Sequence, residues 1–247
     1  GGTAVSTVID AINYAVANGA DIINLSIGGG YTSAFTAPFN AAYAAGCVLV
    51  VAGGNSGAEL TDAQSTWESP VCNDGNNVLT DNHLIGVAAT DQFDRKASYS
   101  NFDSSSSHFI DVSCPGEALY GPTAYFPAFA AFSKYFGTNS GTSFSCPVVS
   151  GLAALVLSHN PGFTPAQVLT AIVGSADNID DQNPGYIGKL GGGRINIART
   201  LGVMLPPGSV LDLAAVDTAG DDGGSVSLTW RKSPDDGAGS QSVGSYE

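Results

Sequence analysis

Two short apolar runs, each cut off by glycines, limit what this chain can fold into. DIINLSI at residues 21–27 runs into Gly28-Gly29-Gly30, and CVLVVA at 47–52 runs into Gly53-Gly54. A strand that is apolar at nearly every position, rather than at every second one, must be covered on both faces. The segments before these runs supply the cover. Residues 5–18 place Val8, Ile12, Ala15 and Val16 on one helical face and stop at Gly19, and a second helical stretch at 35–45 stops at Gly46. Further strands are expected at 84–89 and 109–114. Residues 142–159 predict a helix, apolar almost all round from 148 to 157, and such a helix belongs inside a domain. Thr164-Pro165-Ala166-Gln167 offers the next helix an N1 proline and a capping box. Alternating helices and strands of this kind predict an α/β fold, a mostly parallel sheet with helices on both faces.

The pattern changes near Leu205-Pro206-Pro207-Gly208, after which short alternating segments (VLDLAAV, SVSLTW) flank the turn-rich DTAGDDGG. This reads as the opening of a small β-sandwich, cut short well before seven strands. The expected organisation is a main domain over residues 1–203 that lacks its N-terminal part, a linker at 204–208, and a truncated sandwich tail at 209–247. A chain that opens on Gly1-Gly2 rather than Met is expected to begin inside a longer product.

Charge narrows the partners. The formal net charge is -14, from 22 acidic and 8 basic residues. Phosphate binding needs clustered Lys and Arg, so neither nucleic acid nor an anionic membrane surface is expected as a partner. No apolar run approaches the roughly 20 residues that span a bilayer. Of the 4 cysteines, Cys47, Cys114 and Cys146 sit in packed contexts, whereas Cys72 lies in a polar loop and is the better disulfide candidate. No cofactor is assigned. Asp177-Asn178-Ile179-Asp180-Asp181-Gln182 is oxygen-rich enough for a structural calcium ion, although turn and capping aspartates explain it as well.

In a parallel sheet, ligands bind outside the carboxyl ends of the strands. Ser26-Ile27-Gly28 and Ala52-Gly53-Gly54-Asn55 lie at that rim. Asn139-Ser140-Gly141-Thr142-Ser143 leads into the apolar helix. A serine at a helix N-terminus sits where the dipole and free N–H groups favour developing negative charge. Ser143 is therefore a candidate nucleophile for acyl transfer, with its own N–H and the Asn55 amide as oxyanion donors. Taken alone, Gly-Thr-Ser is a common helix-entry string whose serine is more often only an N-cap.

Together the segments are specific. GTSFSCPVVSG (141–151) resembles the nucleophile motif of the subtilisin-like serine proteases, the subtilase or peptidase S8 family. ADIINLSIGGG (20–30) is similar to that family's substrate-binding strand, and VLVVAGGNSG (48–57) to its oxyanion segment. LIGVAATDQFDRKASYSNF and LGGGRINIARTL fall where the family has its late strands and final helix. The resemblance covers about residues 1–202. It implies a subtilisin-like α/β fold and a secreted endopeptidase acting on proteins or peptides, with Ser143 and Asn55 in the chemistry. Ser26, Ile27, Gly28, Ala52, Gly53 and Gly54 would bracket the substrate, in a pocket roomy enough for a large apolar side chain. The tail from Pro207 resembles the start of a fibronectin type III module. Gly53 stands where the family has Ala, and Phe144-Ser145-Cys146 replaces a commoner triplet.

In the family the partners of the serine precede it in the order Asp, His, Ser. Here the 25 residues before Ser26 hold Asp10 and Asp21 but no histidine. His159 is sixteen residues beyond Ser143 on one helix, ~24 Å away. His83 and His108 are expected at the amino-terminal edge of the sheet. The acid and base are therefore expected in a missing N-terminal part, which becomes this chain's principal partner, and the chain alone is expected to be inactive. The alternative is a non-catalytic pseudo-peptidase or binding protein on the same fold. A dinucleotide site is disfavoured, since Gly28-Gly29-Gly30 lacks the G-x-G-x-x-G spacing.

Overall fold

The structure is a computed structural model. It describes residues 4–74, 82–104, 106–122 and 136–202 in full, and the backbone of 211–217 and 226–231. In chain order the elements are α1 (Val5–Ala17), β1 (Ile22–Leu25), β2 (Gly29–Gly30), α2 (Thr36–Ala44), β3 (Val48–Ala52), β4 (Glu59–Leu60), β5 (Glu68–Ser69) and β6 (Leu84–Thr90). They continue with β7 (Phe102–Asp103), β8 (Val112–Pro115), β9 (Leu119–Pro122), β10 (Phe136–Asn139), α3 (Thr142–His159), α4 (Pro165–Gly174), α5 (Ile197–Thr200), β11 (Leu211–Asp217) and β12 (Val226–Arg231).

Four strands form a parallel sheet in the order β1-β3-β6-β8. All five residues of β3 are buried, and they alternate between two cores. Leu49 and Val51 join Ile12, Phe35 and Phe39 under α1 and α2. Val48, Val50 and Ala52 join Cys146, Val149, Leu152 and Val156 of α3 on the other face. The layered α/β architecture expected from the strand composition is present. Each buried aliphatic side chain contributes about 1.5–3 kcal/mol. Local signals hold as well. Gly19 takes the positive φ of 74° that ends α1. The Thr164 hydroxyl accepts from the Gln167 N–H, while Gln167 Oε1 accepts from the Thr164 N–H at 2.8 Å, completing the capping box.

Three expectations are corrected. The strand expected from residue 109 begins at Val112, because the N–H groups of Phe109 and Ile110 are taken by the Asp103 carboxylate at 3.1 and 3.0 Å instead of a ladder. Cys72 is not in a disulfide. All four cysteines are buried free thiols, and burial pushes Cys72 up to about 12. The loop around Cys72 is polar in sequence, but its backbone folds over the thiol, which accepts from the Glu68 N–H. The third concerns α3, whose apolar circumference is only half covered. Phe144, Val148 and Leu155 are 38%, 41% and 46% exposed along one face. α3 packs across the sheet with its opposite side.

The oxygen-rich turn is taken up by the protein itself. Asp177 is bound by Arg194 at 2.5 Å and Arg199 at 2.9 Å. Among the described residues no group of three or more His, Cys, Asp or Glu is placed to hold a metal ion. The chain separates into two compact units, Gly1–Leu201 and Gly202–Glu247. In the second, β11 and β12 pair antiparallel. The proposed linker at 204–208 lies outside the described residues.

β1 pairs with β3 on one side only, and among the described residues nothing pairs with its other edge. An unpaired edge together with a stripe of exposed Phe, Val and Leu on α3 is an association surface. Expressed by itself, residues 1–202 should therefore self-associate at micromolar concentration, and Val148→Gln with Leu155→Gln should weaken that association. Sedimentation velocity giving a concentration-independent monomer for the unaltered chain would refute this.

Candidate active site

The carboxyl ends of β1 and β3 and the amino end of α3 meet at one rim of the sheet. There they enclose a cleft of about 400 Å³, lined among others by Ile27, Gly28, Ala52, Gly54, Asn55 and Ser143. Six of the eight residues anticipated from the sequence thus line a single cavity. The other two lie directly behind it. Ser26 exchanges hydrogen bonds with the nucleophile candidate: its hydroxyl donates to the Ser143 carbonyl at 2.9 Å, and Ser143 Oγ donates to the Ser26 carbonyl at 3.3 Å. Gly53 is buried, and its N–H donates to the Val87 carbonyl at 2.9 Å. A methyl on Gly53 would come within 2.8 Å of Ile110 Cδ1, so Ile110 fills the space that an alanine would need.

The orientation of Asn55 follows from Thr142. Asn55 Oδ1 accepts from the Thr142 N–H and from Thr142 Oγ1, both at 2.9 Å. Both atoms donate, so the oxygen end of the amide must face Thr142 and Nδ2 must face away. Asn55 is exposed toward the cleft, and its Nδ2 has no acceptor among the described residues. The Ser143 N–H, in the first turn of an 18-residue helix, is likewise without an acceptor. Two unengaged donors and a serine hydroxyl therefore share one end of the cleft, at the positive pole of α3.

Two supporting residues escaped the sequence reading. Thr142 is fully buried, and its hydroxyl also accepts from the Gly54 N–H at 3.2 Å. It ties the α3 terminus to the β3 turn. Asn101 is fully buried and clamps the same turn from behind. Its Oδ1 accepts from the N–H groups of Ser56 and Ala58 at 3.1 and 2.9 Å, and its Nδ2 donates to the Gly53 carbonyl at 3.1 Å. Thr142 stood within a quoted motif, but Asn101 is 46 positions from Asn55, and no local periodicity links them. Cys146, one turn beyond Ser143, is not a competing nucleophile, because burial pushes its thiol up to about 12.

None of the three histidines reaches the cleft. His83 stacks on Tyr43 with ring centroids 4.0 Å apart and bonds Asn40 Oδ1 at 2.7 Å. His108 precedes β8, and His159 ends α3. Asp10 lies within α1 and Asp21 immediately before β1. The arrangement can therefore bind a carbonyl and stabilise an oxyanion, but among the described residues no histidine is placed to act as base for the serine.

If the Thr142 hydroxyl holds the two segments together, the isosteric Thr142→Val should cost about 1–3 kcal/mol, since it strands the buried Gly54 N–H. Equilibrium unfolding of the full-length protein measures this. A change within about 0.5 kcal/mol would mean that the tie is incidental.

Comparison with known proteins agrees with the geometry. A sequence profile of the Subtilase family matches residues 1–193. The chain is 33% identical over 193 residues to Subtilisin DY of Bacillus licheniformis, covering 78% of this chain and 61% of that protein. It is 36% identical to an Extracellular protease of Xanthomonas campestris pv. campestris, covering 71% of this chain but 29% of that one. Among solved structures, a cold adapted subtilisin-like serine proteinase matches with a TM-score of 0.58 at 27% identity, over 71% of this chain and 56% of that chain. The chain thus spans less than two thirds of the length of these relatives. With the profile running from the first residue through α3 and α4, the chain belongs to the subtilase family.

Proposed function

We propose that this chain is the nucleophile-bearing part of a secreted serine endopeptidase. The observation that carries the reading is the Asn55 amide, held by Thr142 so that its Nδ2 is a free donor in the same cleft as Ser143. Ser143 Oγ attacks the carbonyl carbon of a peptide bond, and the negative charge that develops on the oxygen is received by Asn55 Nδ2 and the Ser143 N–H. These donors strengthen as charge grows, so they act on the transition state rather than on the bound substrate. Ile27 and Gly28, backed by Ser26, form one wall against the substrate backbone; Ala52 and Gly54, backed by Gly53, form the other.

A serine hydroxyl needs a base to release its proton, and the base needs a carboxylate to orient it. We assign both roles to a histidine and an aspartate in a part of the protein that precedes this chain and completes the sheet at the free edge of β1. Activity then belongs to the complete protein, and this chain alone is inert. The Subtilisin DY and Xanthomonas campestris relatives support a peptidase, and the latter's description as extracellular supports export. No cofactor takes part in this scheme.

In the full-length protein, Ser143→Ala should lower kcat on a denatured protein substrate by roughly 10⁶-fold. Asn55→Ala should lower it by roughly 10²–10³-fold with little change in KM. Undiminished hydrolysis by Ser143→Ala would rule out the acyl-enzyme. An intact full-length protein that hydrolyses nothing would favour the non-catalytic alternative.

A further inference from the structure

Among the described residues one charged side chain lines the cleft, and the chemistry proposed above does not use it. Glu68, from the loop that follows the oxyanion turn, lines the cavity together with Ile27, Gly28, Gly54 and Ser143. It lies in β5, in register opposite Gly30 of β2. Its carboxylate reaches past the Cα of Gly54, where an added methyl would come within 2.5 Å of Glu68 Oε2. Gly54 has a φ of 101°, so no other residue type would sit there without strain. The space for the carboxylate is thus left by Gly54, whose missing side chain would also meet Asn101 Nδ2.

Glu68 is half-buried. Among the described residues its side chain forms no ion pair and no hydrogen bond, whereas Glu59 of the same loop pairs with Lys189 at 2.6 Å. Among the described residues no Lys, Arg or His lines the cleft. A carboxylate left unpaired in a cavity is a poor neighbour for an apolar side chain and a good one for a cation. The Ile27 and glycine walls suit the alkyl stem of a lysine or arginine, whose head then meets the carboxylate. The chain's formal net charge of -14 draws basic peptides in the same direction.

We infer that the cleft selects a cationic side chain, lysine or arginine, next to the bond that is cut, with Glu68 as its counter-ion. This replaces the expectation of a large apolar side chain and rests on the peptidase reading of Ser143. It makes Glu68 the residue that sets specificity, without any part in bond cleavage.

The test uses the full-length protein and peptides that differ only in the residue on the acyl side of the scissile bond. Lysine or arginine should be cleaved with kcat/KM roughly 10- to 100-fold above phenylalanine or leucine. Glu68→Gln should bring that ratio toward one, and Glu68→Lys should turn the preference toward aspartate or glutamate. Because each ratio is taken within one variant, it does not depend on how much of that variant folds. A wild-type preference for apolar side chains, or a basic preference that survives in both variants, overturns the inference and leaves the peptidase reading standing. A protein that cleaves none of the peptides and is not labelled at Ser143 by a fluorophosphonate overturns both.

Discussion

The burial of β3 is the constraint on which the remainder of the domain rests. Its five residues are covered on both faces, so every backbone N–H and C=O must be met by a neighbouring strand. β1 and β6 meet that demand, in parallel and in continuous register. Parallel neighbours require a crossover, and the one from β1 to β3 lays α2 beside α1 on one face, while α3, which follows β8, packs on the other. With strand directions and helical layers set, the carboxyl ends of β1 and β3 must open on the same rim. That rim is where Ser26–Gly28 and Gly53–Asn55 converge.

The site itself is organised by hydrogen bonds that are short in space and long in sequence. Thr142 is 87 residues from Asn55 and Asn101 is 46, yet these two buried side chains decide where the Asn55 amide points and how the turn is held. Buried polar groups of this kind are stabilising only when every donor and acceptor is met. Asn101 uses its bonds on the backbone of one turn, and Thr142 uses its hydroxyl on the Gly54 N–H and the Asn55 amide oxygen of the same turn. The two donors left over, Asn55 Nδ2 and the Ser143 N–H, are the ones that face the cleft. The glycines complete the arrangement by removing volume, since Gly53 yields to Ile110 and Gly54 to Asn101 and the Glu68 carboxylate.

α3 carries both the candidate nucleophile and an exposed apolar face. Its buried side packs Cys146, Val149, Leu152 and Val156 over the sheet, and its other side presents Phe144, Val148 and Leu155. By length and composition it is the one described helix apolar enough to cross a bilayer, but here its inner face packs on the strands. The open edge of β1 has the same character. Both features become intelligible if a further layer of the same domain covers them, and that layer is where the proposed acid and base belong. The hydrogen bonds that orient Asn55 and tie the α3 terminus to the β3 turn run between residues of this chain.

What the sequence determined by itself was whatever depends on near neighbours. Periodicity located α1 and α2, continuous apolar runs located β1 and β3, and Thr164 to Gln167 announced the α4 cap. Motif order brought Ser143 and Asn55 into view as a pair. Composition could not say which side of α3 is covered, since an apolar helix reads the same whether one face or both are packed. Nor could it tell that Cys72 is buried beneath a polar loop rather than bridged, or that Asn101 holds Asn55 in place. Glu68 is the clearest case. In sequence it is one acidic residue in a polar loop, and only the pairing of β5 with β2 beside a side-chain-free Gly54 brings its charge into the cleft. Burial and long-range hydrogen bonding are properties of the assembled layers, so the tertiary structure alone decided them.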